Sequence, residues 1–214
     1  HAREKFSIVS IGRLTSFKTY NLYMIDVLIE LLHMGFPVTW DIYGSGELED
    51  LLNERIDSHG LAKNVFLHGD LPYEKLQEAL TGCYAFVGMG TALVEAGMLG
   101  IPSIPAIDSA DAYTYGYVYE LPGYTVGEYL GSKPKIEVVS LLLRLFGMAE
   151  CEYVSECERT RQYCKKFLIS DVGPQYLDAF KGAGTISNLD EYPTSKRWLF
   201  FLAAVLGSIP RIAE

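Results

Sequence analysis

Two segments of the sequence combine glycines with charged side chains in a way that suits phosphate binding. The first is Gly12-Arg13-Leu14-Thr15-Ser16-Phe17-Lys18, in which a glycine precedes two cations five residues apart. A glycine lets the backbone approach a ligand closely, and two cations on one loop can clamp a diphosphate. The alternative interpretation is a solvent-exposed loop that carries two charges.

The second segment, VGMGTALVEA, starts at Val87. Gly88 and Gly90 precede a predicted helix that begins near Thr91, so the free N–H groups of its first turn and its dipole favour a bound phosphate. Glu95 falls one turn further on, where a carboxylate can accept hydrogen bonds from a ribose diol. The alternative interpretation of Glu95 is a surface residue whose negative charge the helix dipole favours. The usual dinucleotide fingerprint, GxGxxG after the first strand, is absent.

Short apolar runs predict the strands that position these segments. These strands are Phe6–Ile11, Val38–Tyr43, Val65–Leu67, Tyr84–Val87 and Ile101–Ala106. Amphipathic stretches between them predict four helices, Asn21–Leu32, Glu47–His59, Tyr73–Leu80 and Thr91–Leu99. Strands separated by helices of about ten residues predict right-handed βαβ crossovers. The fold class is therefore α/β, a Rossmann-like doubly wound parallel sheet, whose ligands bind outside the carboxyl ends of the strands.

Beyond residue 107 the pattern is less regular. Residues 108–131 are rich in Tyr and Gly, with one possible strand near Tyr124–Val126 and an aromatic stretch, Tyr113–Tyr119, that predicts a packed loop or a pocket wall. Three further helices are predicted at Lys135–Phe146, Cys151–Leu168 and Val172–Lys181. The four glutamates at positions 150, 152, 156 and 158 predict a solvated helix face. We expect one domain over residues 1–181, a linker over 182–194 and an apolar C-terminal helix over 195–214.

Composition excludes some classes of function. The 214 residues include 27 acidic and 18 basic side chains, a net charge of −9, which argues against nucleic-acid binding because phosphates need a basic face. The four cysteines fit no metal motif, and we expect reduced thiols in a cytoplasmic protein.

In order and spacing, these segments resemble the C-terminal, nucleotide-sugar-binding domain of retaining GT-B glycosyltransferases of the glycosyl transferases group 1 type. The matching stretches are SIGRLTSFK, IYGSGELEDLL, NVFLHGDLPYEKL and YAFVGMGTALVEAGMLGIPSI. The resemblance covers roughly Phe6 to Lys181 and implies a UDP-, GDP- or ADP-sugar donor with no metal or other cofactor. It implies transfer of the sugar to a glycan or lipid-linked acceptor. The acidic, cytoplasmic character of the sequence and its apolar tail favour a role in polysaccharide or glycolipid synthesis. The acceptor domain is expected to be absent from this chain, which would then be inactive alone.

The resemblance also implies roles for particular residues. Arg13 and Lys18 would hold the leaving diphosphate and so carry the catalysis that this domain contributes. Glu95 would bind the ribose, and the backbone of Leu71 would contact the base. The remaining substrate-binding positions are the glycines and first-turn amides of the two loops, Gly12, Gly88, Gly90, Thr91 and Ala92.

One departure from the family pattern concerns the donor sugar. The family carries a second glutamate eight residues before Glu95, where it touches the sugar, and this sequence has Val87 there. The donor sugar is then unusual, or another residue such as Asp108 or Asp111 substitutes, or the domain has lost transfer activity. The alternative hypotheses are a non-catalytic nucleotide-sugar-binding or scaffold domain and a GT-B-fold sugar-nucleotide epimerase.

The segment Trp198–Leu206 is apolar all round and flanked by basic residues. A nine-residue helix is about 14 Å long and cannot cross a hydrocarbon core of about 30 Å. It would pack against this domain, cross to the acceptor domain as GT-B helices commonly do, or lie at a membrane surface as a peripheral contact.

Overall fold

A computed structural model of the protein describes residues 6–131 and 133–182. The chain divides into a first unit that ends at Ile169 and a second that begins at Ser170. The predicted domain limits, the linker over 182–194 and the helix over 195–214 stay predictions, because residues 183–214 lie outside the described part.

Five parallel strands form the sheet at the centre of the first unit. They are β1 (Ser7–Ile11), β2 (Thr39–Tyr43), β3 (Val65–Leu67), β4 (Ala85–Gly88) and β5 (Ser103–Pro105), in the order β3-β2-β1-β4-β5. All five predicted strands are confirmed, with ends that differ by one or two residues. The residues of β1, β4 and β5 are buried on both faces of the sheet, which is typical of a parallel sheet covered by helices.

Seven helices of the described residues surround or follow this sheet. They are α1 (Tyr20–His33), α2 (Glu49–Ser58), α3 (Leu76–Leu80), α4 (Thr91–Met98), α5 (Val138–Gly147), α6 (Glu150–Cys164) and α7 (Ile169–Gly182). Short 3-10 turns occur at Tyr73–Lys75, Val118–Glu120 and Lys165–Phe167. α7 belongs almost entirely to the second unit.

Two apolar cores lie on opposite faces of the sheet. Side chains of α1, α2 and α5 pack with Ile8, Trp40 and Ile42 in the first core. Side chains of α3 and α4 pack with Val9 and Phe86 in the second. Neighbouring side chains of one strand, such as Ile8 and Val9, therefore point to different cores, as the pleat requires.

The order of the strands reverses next to β1, which lies between β2 and β4. The loops that leave the carboxyl ends of β1 and β4 consequently start side by side. A doubly wound sheet binds its ligands in the crevice at such a switch point. The two glycine-containing segments identified from the sequence meet here.

The region after β5 differs from the sequence-based expectation in two places. No strand forms at Tyr124–Val126, where the backbone turns instead. A small antiparallel pair, β6 (Tyr113–Thr114) and β7 (Ile136–Glu137), was not predicted, and it displaces the start of the expected Lys135–Phe146 helix to Val138. Two-residue strands carry too little hydrophobic periodicity to be recognised in a sequence.

Candidate functional site

The loop after β1, residues 12–18, is braced by the loop after β2. The N–H of Gly12 donates to the Tyr43 carbonyl at 2.8 Å, and that of Leu14 to the Ser45 carbonyl at 2.9 Å. The backbones are so close that a Cβ at Gly44 would overlap the Gly12 carbonyl oxygen. This close approach explains the glycine there and fixes the loop before any ligand binds.

A glutamate that the sequence analysis did not single out adds to this bracing. Glu47 accepts a hydrogen bond from the backbone N–H of Ser16, in the middle of the residue 12–18 loop. Hydrogen bonding by Ser16, first through its side chain and then through this backbone N–H, lowers the pKa of the Glu47 carboxyl. No local sequence pattern predicts this contact between Ser16 and Glu47, because the two residues are 31 positions apart.

The two cations of this loop lie near one another. Lys18 folds back over the loop, and its Nζ would be 2.5 Å from a Cβ placed on Gly12. Burial, and secondarily the positive charge of Arg13, lower the pKa of Lys18 below its usual 10.5. Within the described chain, no carboxylate forms an ion pair with either cation. A bound anion would therefore offset the repulsion between the positive charges of Lys18 and Arg13.

The turn between β4 and α4 faces this loop. Helix geometry leaves the N–H groups of Thr91 and Ala92 without acceptors inside α4, and the structure gives them no other partner within the described residues. The N–H of Gly90 is already used, since it donates to the Val126 carbonyl at 2.8 Å. Gly88 is the buried last residue of β4. The amides that can meet a phosphate are thus those of Thr91 and Ala92.

Glu95 lies one turn into α4 and is partly exposed. The phenol of Tyr73 donates to its Oε1 at 2.9 Å, and this bond raises the pKa of Tyr73. Tyr73 is 75% exposed and follows Leu71, the predicted base contact, by two residues. The structure therefore brings the predicted ribose and base positions to one side of the turn, and it adds Tyr73, which the sequence analysis missed.

Val87 occupies the position where the family pattern has its sugar-binding glutamate. It is fully buried in β4, and its side chain belongs to the same apolar core as Ile8 and Ile104. Its carbonyl accepts a hydrogen bond from the Ser10 hydroxyl at 2.6 Å. Val87 is thus a core residue whose side chain does not line the crevice.

The two aspartates considered as substitutes lie in different surroundings. Asp108 lines a cavity of about 280 Å³ together with Lys18 and Gly90, whereas Asp111 does not line it. The loop that carries Asp108 is tied to the residue 12–18 loop, because the Ser109 N–H donates to the Phe17 carbonyl at 2.9 Å. Of the two, Asp108 alone is placed beside the proposed phosphate site.

His68 pairs with Asp41 at 2.6 Å and stacks on the ring of Tyr43, so its contacts are those of a packed side chain. The predicted aromatic loop is packed as well, with Tyr115 and Tyr117 buried.

The expectation of a solvated glutamate face on α6 is wrong at Glu156. This side chain is 3% exposed and accepts a hydrogen bond from the Tyr119 phenol.

Neither a cluster of metal ligands nor a helix that could span a membrane occurs in the described part of the chain. Within the described residues, no three His, Cys, Asp or Glu side chains are grouped so that they could hold a metal ion. No helix in the same part of the chain is long and apolar enough to span a bilayer. The expected membrane contact at Trp198–Leu206 lies outside the described residues.

The sheet order and the helices on both faces define a Rossmann-like α/β domain of the kind found in GT-B glycosyltransferases. The family model for glycosyl transferases group 1 matches residues 1–108, just over half of the 214-residue chain. The protein belongs to this family. No curated protein matches the sequence.

Solved structures agree with this fold. The chain is 17% identical to a point mutant of S. aureus TarM in complex with fondaparinux, alpha-GlcNAc-glycerol and UDP, over 83% of this chain and 36% of that one, with a TM-score of 0.60. It is 17% identical to Anabaena Alr3699/HepE in complex with UDP and glucose, over 84% and 49%, with a TM-score of 0.59. It is 14% identical to the C-terminal domain of LpcC, a glycosyl transferase group 1 family protein from Francisella tularensis, over 78% and 87%, with a TM-score of 0.54. The chain spans between about a third and a half of the first two proteins.

Proposed function

We propose that this chain is the donor-binding, C-terminal part of a retaining GT-B glycosyltransferase and that it binds a nucleoside-diphosphate sugar. The observation that carries the proposal is the crevice between the loops after β1 and β4. One loop supplies Lys18 and Arg13, two cations that pair with no carboxylate in the described part of the chain. The other supplies the first-turn amides of Thr91 and Ala92. The match to a C-terminal domain of another group 1 protein supports the assignment to that part of the enzyme.

The chemistry of this crevice is electrostatic. When the bond between the sugar and the diphosphate breaks, negative charge accumulates on the leaving phosphate. Fixed cations and amides that already point to that position stabilise the charge without reorganising. Lys18 and Arg13 would thus favour departure of the diphosphate without a metal ion. Acceptor binding, and transfer to a glycan or a lipid-linked acceptor, would need the rest of the enzyme.

Calorimetric titration of the chain with UDP, GDP and ADP tests the proposal. We expect one of the three to bind, and Lys18→Ala or Glu95→Ala to weaken its binding by roughly 10- to 150-fold, which corresponds to the loss of about 1.5–3 kcal/mol for a hydrogen bond to a charged group. Lys63→Ala and Glu54→Ala, which change exposed charges away from the crevice, serve as matched controls and should leave the affinity unchanged. The absence of binding at millimolar concentration of all three would overturn the proposal.

A second candidate is a nucleotide-sugar-binding domain that performs no transfer. The burial of Val87 in the core favours it, since no glutamate stands at the family's sugar position. The two candidates differ in one measurement, the transfer of sugar to an acceptor by the complete enzyme. Activity that Lys18→Ala abolishes supports the transferase, and nucleotide-sugar binding without transfer supports the second candidate.

A further inference from the structure

The cavity of about 280 Å³ lies between the loop after β1 and a segment that we call the strap, residues 122–130. Lys18 and Gly90, from the loops after β1 and β4, line the cavity together with Asp108 and Glu128. Three residues lie on the nucleoside side of the crevice and do not line this cavity, namely Leu71, Tyr73 and Glu95. The cavity therefore adjoins the phosphate-binding loops on the side away from the nucleoside.

The strap is held in place by its backbone. The Val126 carbonyl accepts the Gly90 N–H, and the Gly127 carbonyl accepts the Asp108 N–H, both at 2.8 Å. Gly127 has a φ of +134°, and a Cβ there would lie 2.6 Å from the Met89 Cβ and 2.7 Å from the Ala106 carbonyl oxygen. Only glycine allows this approach, so the strap forms a fixed wall beside the phosphate site.

The carboxylates on this wall are oriented by short local bonds. One oxygen of Glu128 accepts the Val126 N–H at 2.6 Å, and one oxygen of Asp108 accepts the Ser109 hydroxyl at 2.7 Å. Each bond fixes a side chain through one oxygen and leaves the second oxygen for another donor. Phe17 and Met89 add apolar surface to the same cavity.

We propose that this cavity is the donor-sugar pocket and that Glu128, with Asp108, accepts hydrogen bonds from the hydroxyls of a neutral monosaccharide. The proposal rests on the proposed nucleotide-sugar function. The volume lies just below the range of about 300–1,000 Å³ usual for drug-sized ligands, which suits a single sugar ring. A ring presents vicinal hydroxyls to carboxylates and C–H groups to apolar walls. Glu128 thereby takes over the contact that Val87 cannot make.

The same geometry excludes acidic sugars. A uronate or another carboxylated sugar would bring a third negative charge to a cavity that already carries two carboxylates. Lys18, the cation that lines this cavity, is assigned to the diphosphate, so the added charge would lack a partner and the repulsion would be unfavourable. The inferred substrate class is therefore a nucleoside diphosphate linked to an uncharged monosaccharide.

The test compares three probes with the same base, the one that the titrations above select. The probes are the free nucleoside diphosphate, its conjugates with glucose, galactose or N-acetylglucosamine, and its glucuronic acid conjugate. We expect at least one neutral conjugate to bind roughly tenfold tighter than the free diphosphate, since a hydrogen bond to a charged group is worth about 1.5–3 kcal/mol. The glucuronate should bind no tighter than the free diphosphate.

Glu128→Gln is the informative variant, because its amide oxygen can still accept the Val126 N–H while the charge is lost. It should remove most of the gain from the neutral sugar, improve the affinity for the glucuronate and leave the free diphosphate within twofold. Asp108→Asn should act in the same direction. Glu137→Gln, at an exposed carboxylate away from the cavity, is the matched control and should change none of these affinities.

The outcomes separate this inference from the function on which it rests. If none of the free nucleoside diphosphates binds, the proposed nucleotide-sugar function is wrong, and the sugar pocket that rests on it is wrong as well. If the diphosphate binds but no neutral sugar adds affinity, or if Glu128→Gln leaves the sugar's contribution and the discrimination against glucuronate intact, the sugar pocket is wrong while the nucleotide site stands.

Discussion

Lys18 connects the chemistry of a single side chain to the ligand that the crevice is proposed to hold. Its amine is partly buried and lies near Arg13, so its surroundings in the fold disfavour its charged form. A bound diphosphate reverses this preference, because it places negative charge against the ammonium. The pKa of Lys18 should therefore rise when the ligand binds.

This coupling predicts a pH-dependent affinity. Lys18 in the free protein loses its proton at a lower pH than an ordinary lysine, so the affinity for the diphosphate should fall as the pH rises through the lowered pKa of Lys18, below 10.5, and binding there should take up protons. Titration calorimetry in buffers of different ionisation enthalpy measures that uptake. Lys18→Arg, whose guanidinium stays protonated, should bind without it. Equal proton uptake by the unmodified protein and by Lys18→Arg would show that a group other than Lys18 takes up the proton.

Tyr73 and Glu47 show what residue-level sequence reasoning missed at the site. The loop cations, the first-turn amides and Glu95 could be selected because each motif is local in the sequence. Tyr73 contacts Glu95 from 22 residues away, and Glu47 contacts Ser16 from 31 residues away. Such contacts depend on the order of the strands in the sheet, and no local spacing encodes that order.

At the scale of the elements, β4 determines what Val87 can do. The run YAFV predicts a strand, but all of its apolar residues are buried, so no polar and apolar alternation reveals which side chain faces the crevice. The structure assigns Val87 to the core between the sheet and the helices α1 and α5. Restoring the family's glutamate at this position would place a carboxylate in that core.

Val87→Glu should therefore destabilise the protein and should not create a sugar contact. An unpaired buried charge costs about 3–5 kcal/mol of unfolding free energy, which urea denaturation followed by circular dichroism can measure. Val154→Glu makes the same change on the exposed face of α6, where the valine is 55% exposed, and surface substitutions of this kind shift stability by no more than about 0.5 kcal/mol. A Val87→Glu protein as stable as the Val154→Glu control would show that the side chain reaches solvent.

The elements after β5 were the least predictable from the sequence. The five strands and the helices between them follow from runs of apolar residues, and they were predicted to within a few residues. The strap has no such pattern, since its position depends on single backbone hydrogen bonds and on the close approach of Gly127 to Met89. Glu156 was misassigned for a related reason, because a glutamate in an acidic helix predicts solvent exposure, whereas Tyr119 packs over it.

At the scale of the whole molecule, the proposed site exists only when the sheet is formed. Lys18 follows β1, Leu71 follows β3, Thr91 follows β4 and Asp108 follows β5, so residues 90 positions apart in sequence meet at one edge. The unfolded chain cannot bring these groups together and has no equivalent affinity. Ligand binding must then stabilise the folded first unit as a whole.

The expected size of this stabilisation follows from mass action. At a nucleotide concentration one hundred times its dissociation constant, the unfolding free energy should rise by about 2.7 kcal/mol, which corresponds to a midpoint roughly 5–10 °C higher for a domain of this size. Thermal unfolding of the chain with and without the nucleotide measures the shift. At the same concentration Glu54→Ala should show the full shift and Lys18→Ala a much smaller one, because only the second variant loses a charge from the crevice. Binding detected by calorimetry without any rise in the midpoint would mean that the nucleotide binds the unfolded chain as well, and the crevice assembled by the sheet would not be its site.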